Sequence, residues 1–157
     1  ILGEVSIDQL ATPPLSLGLM PEVQATREAV LALQQADMII LGPGSFLTSI
    51  MPPLLLAEIA QAINESSAML VFVCNLVAEN GPASQLDLMS QCRWLESRVG
   101  QGRLDAILAP RGTGDAGAWQ GRLIDADLGE LELPHRHDRL KLKLALDRII
   151  QQLLNQR

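Results

Sequence analysis

A chain of 157 residues with a formal net charge of -6 is long enough for one domain with a real core, and its acidity argues against nucleic acid or an anionic membrane as main partner. Hydrophobic residues at 48% and charged residues at 19% exclude a disordered tail, and the longest apolar runs are broken by Pro52-Pro53 or by charge before they reach membrane-spanning length. A small anionic ligand stays open, because backbone N–H groups bind one without Lys or Arg.

In chain order, residues 4–7 are predicted as a short strand, followed by a polar, Pro-rich connection through Pro14. Met20-Pro21 opens a predicted helix, with Pro21 in a favourable first-turn position and Val23, Val30 and Leu33 on one face. The most informative stretch comes next. The apolar run Met38–Leu41 stops abruptly at Gly42-Pro43-Gly44, and Ser45, Thr48 and Ser49 lead into a second apolar segment. That pattern predicts a buried parallel strand ending in a tight turn that feeds a helix.

Residues 53–64 repeat Leu55, Leu56, Ile59 and Ile63 at helical spacing, with Pro52-Pro53 fitting only at the start. Residues 69–74 (MLVFVC) read as a second buried strand, followed at once by Asn75. A helical period returns over residues 86–99. Residues 104–109 are a third strand, 122–124 a fourth, and the Gly-rich residues 111–118 a surface loop between them. A last helix starts at about Asp138, with Leu140, Leu144, Ile149 and Leu153 apolar. Strand and helix alternating in this way predict right-handed crossovers and a Rossmann-like, mainly parallel α/β sheet flanked by helices.

In such sheets ligands bind at the carboxyl ends of the strands. Gly42, Gly44, Ser45 and Thr48 follow the first core strand and Asn75 follows the second, so they are expected to share one cleft. Glycine admits a phosphate close to the backbone, the hydroxyls add donors, and an Asn amide suits a base, a sugar or another amide. The alternative for the glycines is a purely steric turn, and for Asn75 a helix or turn cap. In the cluster His135-Arg136-His137-Asp138, Asp138 is expected to cap the last helix. The two histidines share one face of an extended segment without a third ligand, so phosphate contact by Arg136 or the histidines is favoured over a metal. Cys74 and Cys92 lack metal or redox spacing and read as buried thiols of a reduced protein. Trp94 and Trp119 read as packing residues and Glu4 as a solvent-exposed carboxylate. No nucleophile elbow, zinc motif or P-loop lysine occurs, and no catalytic residue is assigned.

The string ADMIILGPGSFLTSIMP (residues 36–52), with CNL (74–76), PHRHDR (134–139) and GEVSI (3–7), resembles the gluconeogenesis factor proteins of bacteria, which belong with the 2-phospho-lactate transferase-like, or CofD-like, proteins. The resemblance implies a Rossmann-like fold and a cytoplasmic protein without a cofactor. It implies binding of a UDP-sugar in the factor branch, linked to gluconeogenic growth and cell-wall precursor supply. In the transferase branch it implies transfer of a phospho-lactate group to a deazaflavin with a metal ion. Carried onto this chain, Gly42, Gly44, Ser45 and Asn75 fall on the binding edge. The family's first Gly-rich strand-turn and its following acidic segment have no counterpart, so residues 1–157 correspond to the C-terminal part of a single CofD-like domain. The preferred expectation is a regulatory protein that binds a small anionic ligand, a nucleotide sugar, and forms a homo-oligomer. The alternatives are a phospho-lactate transferase-like enzyme and an interaction module whose sheet edge meets a partner.

Overall fold

The computed structural model describes residues 1–113 and 122–155. Its elements are α1 (Glu4–Asp8), α2 (Arg27–Gln34), β1 (Met38–Leu41), a π-helical turn (Phe46–Ile50) running into α3 (Met51–Leu54), α4 (Ala57–Glu65), β2 (Met69–Val73), a 3₁₀ turn (Gly81–Gln85), α5 (Leu88–Val99), β3 (Ala106–Pro110), β4 (Arg122–Ala126) and α6 (Arg139–Leu154). The strands lie in the order β1-β2-β3-β4, every neighbouring pair parallel, with Leu41 beside Phe72 and Val73 beside Leu108. All four carboxyl ends therefore open onto one edge.

Strand alternation divides the core in two. Ile39, Leu41, Leu70, Phe72, Ile107 and Ala109 face one layer, against the π turn and α3 (Phe46, Leu47, Met51, Leu54), α4 (Ile59, Ile63) and α5 (Cys92, Leu95, Val99). Phe46 meets Phe72 edge-on at a centroid distance of 6.3 Å. Val71, Val73, Ala106 and Leu108 face the other layer, under Ala145 and Ile149 of α6 and Leu128. β2, covered on both faces, is buried at every residue, which is why it reads as an unbroken apolar run. Trp94 packs against the first layer. Both cysteines are buried free thiols, pushed by burial up to about 12 and so held as neutral S–H groups. At the outer strand β1, Ile40 stays 44% exposed. Among the described residues no single helix is long and apolar enough to cross a membrane.

Five sequence expectations are corrected. Residues 4–7 form helix α1 instead of a strand, closed by Ile7 N–H to Gly3 O (3.1 Å) and Gln9 N–H to Val5 O (3.2 Å). Only Ile7 reaches the core, so four residues of mixed polarity carried no true period. The second helix begins at Arg27 and not at Pro21, because the Thr26 hydroxyl accepts from Ala29 N–H (3.2 Å) and sets the start, which leaves Val23 exposed. The helix expected over 53–64 is two helices meeting at 77°, with Leu56 extended between them. The bend lets both short helices bury apolar residues in one core cluster, Met51 and Leu54 from the first and Ile59 and Ile63 from the second. The third strand starts at Ala106, two residues late, since Arg103 and Asp105 are engaged in bonds of their own. The fourth strand extends to Ala126. Of the loop expected over 111–118, Arg111–Thr113 form a turn, and its remainder, with Trp119, lies outside the described residues.

Those bonds close the amino-terminal edge. Arg103, largely buried, donates from Nε to Ile63 O (3.0 Å), from one terminal nitrogen to Ser66 O (3.1 Å) and Ala68 O (2.8 Å), and from the other to Asp105 Oδ2 (3.0 Å). Asp105 Oδ2 also accepts from Leu70 N–H (2.8 Å). The clasp ties the end of α4 to the starts of β2 and β3.

Candidate functional site

At the carboxyl edge the turn after β1 folds over the end of β2. Gly42 has φ +86°, and a Cβ there would lie 2.5 Å from the Val73 carbonyl oxygen. Its lack of a side chain thus has a packing cause inside the chain. Beyond it, Ser45 O accepts from Ser49 N–H (2.9 Å) and Ile50 N–H (3.0 Å), which makes the first turn π-helical. The Thr48 hydroxyl donates to Ser45 Oγ at 2.7 Å.

Asn75, the second residue past β2, holds this turn. Its Oδ1 accepts from Gly44 N–H (3.1 Å), while its Nδ2 donates to Gly44 O (2.9 Å) and to Glu79 Oε1 (3.0 Å). The amide thus clamps the backbone of one residue, Gly44, from both sides with two opposed bonds, and both its N–H donors are engaged. Asn75 caps no helix; it secures the turn after β1, the turn-cap alternative for this residue. Glu79, which sequence reasoning missed, completes the arrangement: Phe46 N–H donates to its two carboxylate oxygens at 3.0 and 3.1 Å. An acidic residue four positions after Asn75, in the loop leaving a core strand, was the available signal.

The far wall comes from a distant stretch of chain. After β4, buried Leu128 anchors a loop that doubles back: Asp138 N–H donates to Leu128 O (2.8 Å), Glu130 N–H to Arg136 O (2.9 Å), and Gly129 pairs antiparallel with His137. Lys141 of α6 braces it through Gly129 O and Asp127 Oδ2, both at 2.8 Å. Asp138 caps α6, its Oδ1 accepting from Leu140 and Lys141 N–H at 2.9 Å. Burial holds the His137 imidazole below its ordinary pKa. Its Nε2 is buried without a partner.

Pro43, Gly44, Asn75, Glu79, His135, Arg136 and His137 together line an open cleft of about 530 Å³. Of the expected site residues, the structure brings Gly44, Asn75 and Arg136 onto this cleft. Gly42, Ser45 and Thr48 belong to the turn behind it and are not lining residues. Arg136 is half exposed and its Nε lies 3.4 Å from Glu130 Oε1. A larger groove of about 640 Å³ runs beneath residues 17–24 beside α4 and Arg98. No strand end contributes to it, so the carboxyl-edge cleft is the better candidate site. Among the described residues no three His, Cys, Asp or Glu side chains converge to hold a metal.

The family model described as 2-phospho-L-lactate transferase CofD matches residues 1–154. A Yersinia pestis protein named "Putative gluconeogenesis factor" is 45% identical over 154 residues, covering 98% of this chain, and one of the same name from Vibrio cholerae is 43% identical over 157 residues, covering 99%. The chain spans about half the length of these relatives, 50% and 51% respectively. A crystal structure of a UPF0052-family protein from Bacillus halodurans superposes with a TM-score of 0.71 at 24% identity, over 85% of this chain and 49% of that one. That likeness concerns the fold.

Proposed function

The chain belongs to the CofD family, among relatives named as gluconeogenesis factors, and from that premise we propose that its carboxyl-edge cleft binds a nucleotide sugar, a UDP-sugar, in a regulatory role linking gluconeogenic growth to cell-wall precursor supply. The observation that carries this reading is the meeting of Arg136 with Gly44 and Asn75 on one cleft of about 530 Å³. An acidic chain that concentrates a half-exposed guanidinium and two histidines at a parallel-sheet edge is suited to a diphosphate flanked by hydroxyl-bearing groups. Arg136 takes the phosphate charge, while Gly44 keeps its stretch of wall free of side chain and Asn75 holds it in shape. The Ser45 and Thr48 hydroxyls support the turn from behind.

Titrating a UDP-hexose into the intact protein by calorimetry tests the reading. Saturable binding is expected, weakened about tenfold by Arg136→Ala through loss of one charge-assisted contact, with the melting temperature unchanged. Absence of binding to any UDP-sugar, or equal affinity in the variant, rejects it. The description of the family model favours a second reading, a phospho-lactate transferase. Metal-dependent turnover of a deazaflavin by the intact protein would establish it.

A further inference from the structure

We propose that Glu79 sets the polarity of the cleft: its carboxylate accepts a hydroxyl of the bound sugar or ribose, and its charge turns the ligand's phosphates away from the glycine turn toward Arg136. The proposal rests on the nucleotide-sugar reading and decides how the ligand lies. A Gly-rich turn entering a helix is an ordinary place for phosphate because its N–H groups are free. Here two of them are engaged. Gly44 N–H is bonded to Asn75, and Phe46 N–H to both oxygens of Glu79. A phosphate at this turn would have to displace a carboxylate tied by Phe46 and Asn75, or sit beside a like charge.

The carboxylate is nonetheless well placed for a donor. Two oxygens offer about four acceptor sites. Oε1 takes Phe46 N–H and Asn75 Nδ2, whereas Oε2 takes only its share of Phe46 N–H. Among the described residues no Lys, Arg or His forms an ion pair with Glu79. It lines both the cleft and an adjoining hollow of about 270 Å³ on the other side of the 75–79 loop. Acceptor and cation thus share one cleft, Glu79 from the loop after β2 and Arg136 from the loop before α6. A ligand with hydroxyls at one end and phosphates further along meets that pattern in one orientation only.

Glu79→Gln tests this, because the amide oxygen still accepts from Phe46 N–H while the charge is lost. Parent and variant of the intact protein are titrated with a UDP-hexose and, separately, with inorganic pyrophosphate, and melting curves are recorded for both. The expected result is about tenfold weaker UDP-hexose binding in the variant, the loss of one charge-assisted hydrogen bond, with pyrophosphate affinity kept or raised and the melting temperature kept. Equal or tighter UDP-hexose binding overturns the proposal, as does pyrophosphate binding weakened about tenfold with the melting temperature kept, which would make Glu79 part of the phosphate site and not the group that turns phosphates away. Parallel loss of both ligands with a lowered melting temperature overturns it too, leaving Glu79 a structural brace. In all three cases the nucleotide-sugar reading survives through the parent's binding. A parent that binds no UDP-hexose overturns both.

Discussion

The two edges of the sheet use the same device, a polar side chain bonded to backbone groups of a neighbouring element, to opposite ends. At the amino-terminal edge Arg103 gathers three carbonyls and Asp105 into a clasp and is itself largely buried. At the carboxyl edge Asn75 and Glu79 clamp the turn after β1, yet the clamp stops short of closing the space beside it, where Arg136 faces solvent. A closed polar network stiffens the fold, and an open one leaves acceptors and donors facing a ligand. The closed network and the open cleft thus lie at opposite ends of the same strands.

The largest expected effect falls on the closed edge. Arg103→Leu leaves the Ile63, Ser66 and Ala68 carbonyls and Asp105 without their partner, and should lower stability by about 3 kcal/mol in urea unfolding. UDP-hexose affinity of the fraction that remains folded should not change. A variant that unfolds at the parent's urea midpoint would break the comparison.

Asn75 should move both properties, because it belongs to the fold and to the cleft. Asn75→Ala removes the two Gly44 bonds at a cost of about 1 kcal/mol, whereas Asn75→Asp sets a carboxylate oxygen against Gly44 O and Glu79 and should cost about 2 kcal/mol. The ranking Asp worse than Ala, read from unfolding midpoints, distinguishes a clamp from a mere space-filler. Equal midpoints would show that the amide orientation does not matter.

The smallest effect concerns His137. Burial lowers its imidazole pKa in the folded state, so the folded protein binds that proton less readily than the unfolded chain. Its contribution to stability is complete above about pH 6.5 and is lost as pH falls below that value. The melting temperature should therefore drop slightly between about pH 7.5 and about pH 5.5 in the parent, beyond the drop in His137→Gln. Parallel pH profiles would mean that His137 titrates alike in both states.

Much of the architecture was legible because its signals are local. Met38–Leu41 and residues 69–73 are apolar runs too short for helices and bounded by Gly, Asn or charge; the second is covered on both faces, whereas the first is the outer strand and leaves Ile40 exposed, so such a run marks a strand without fixing its cover. Asp138 declared the start of α6 by its side chain alone. The early failures share one cause. Residues 4–7 and 21–26 pack mainly through single side chains such as Ile7, so their periodicity carried little information. The bend after Leu54 was invisible because either half alone satisfies the helical pattern.

The sequence by itself determined the fold class, the strand order of events along the chain, and which turn and which residue would stand at the carboxyl ends of the first two core strands. These follow from hydrophobic runs, caps and turn residues, whose physics acts within a few positions. Only the tertiary structure decided that Asn75 clamps Gly44 across 31 residues, that Glu79 reaches Phe46 across 33, and that the loop anchored by Leu128 swings Arg136 onto the same cleft. Those choices depend on which polar groups lose water together when the layers pack. No local pattern encodes that pairing, because each partner alone is as well served by water until the sheet brings the two together.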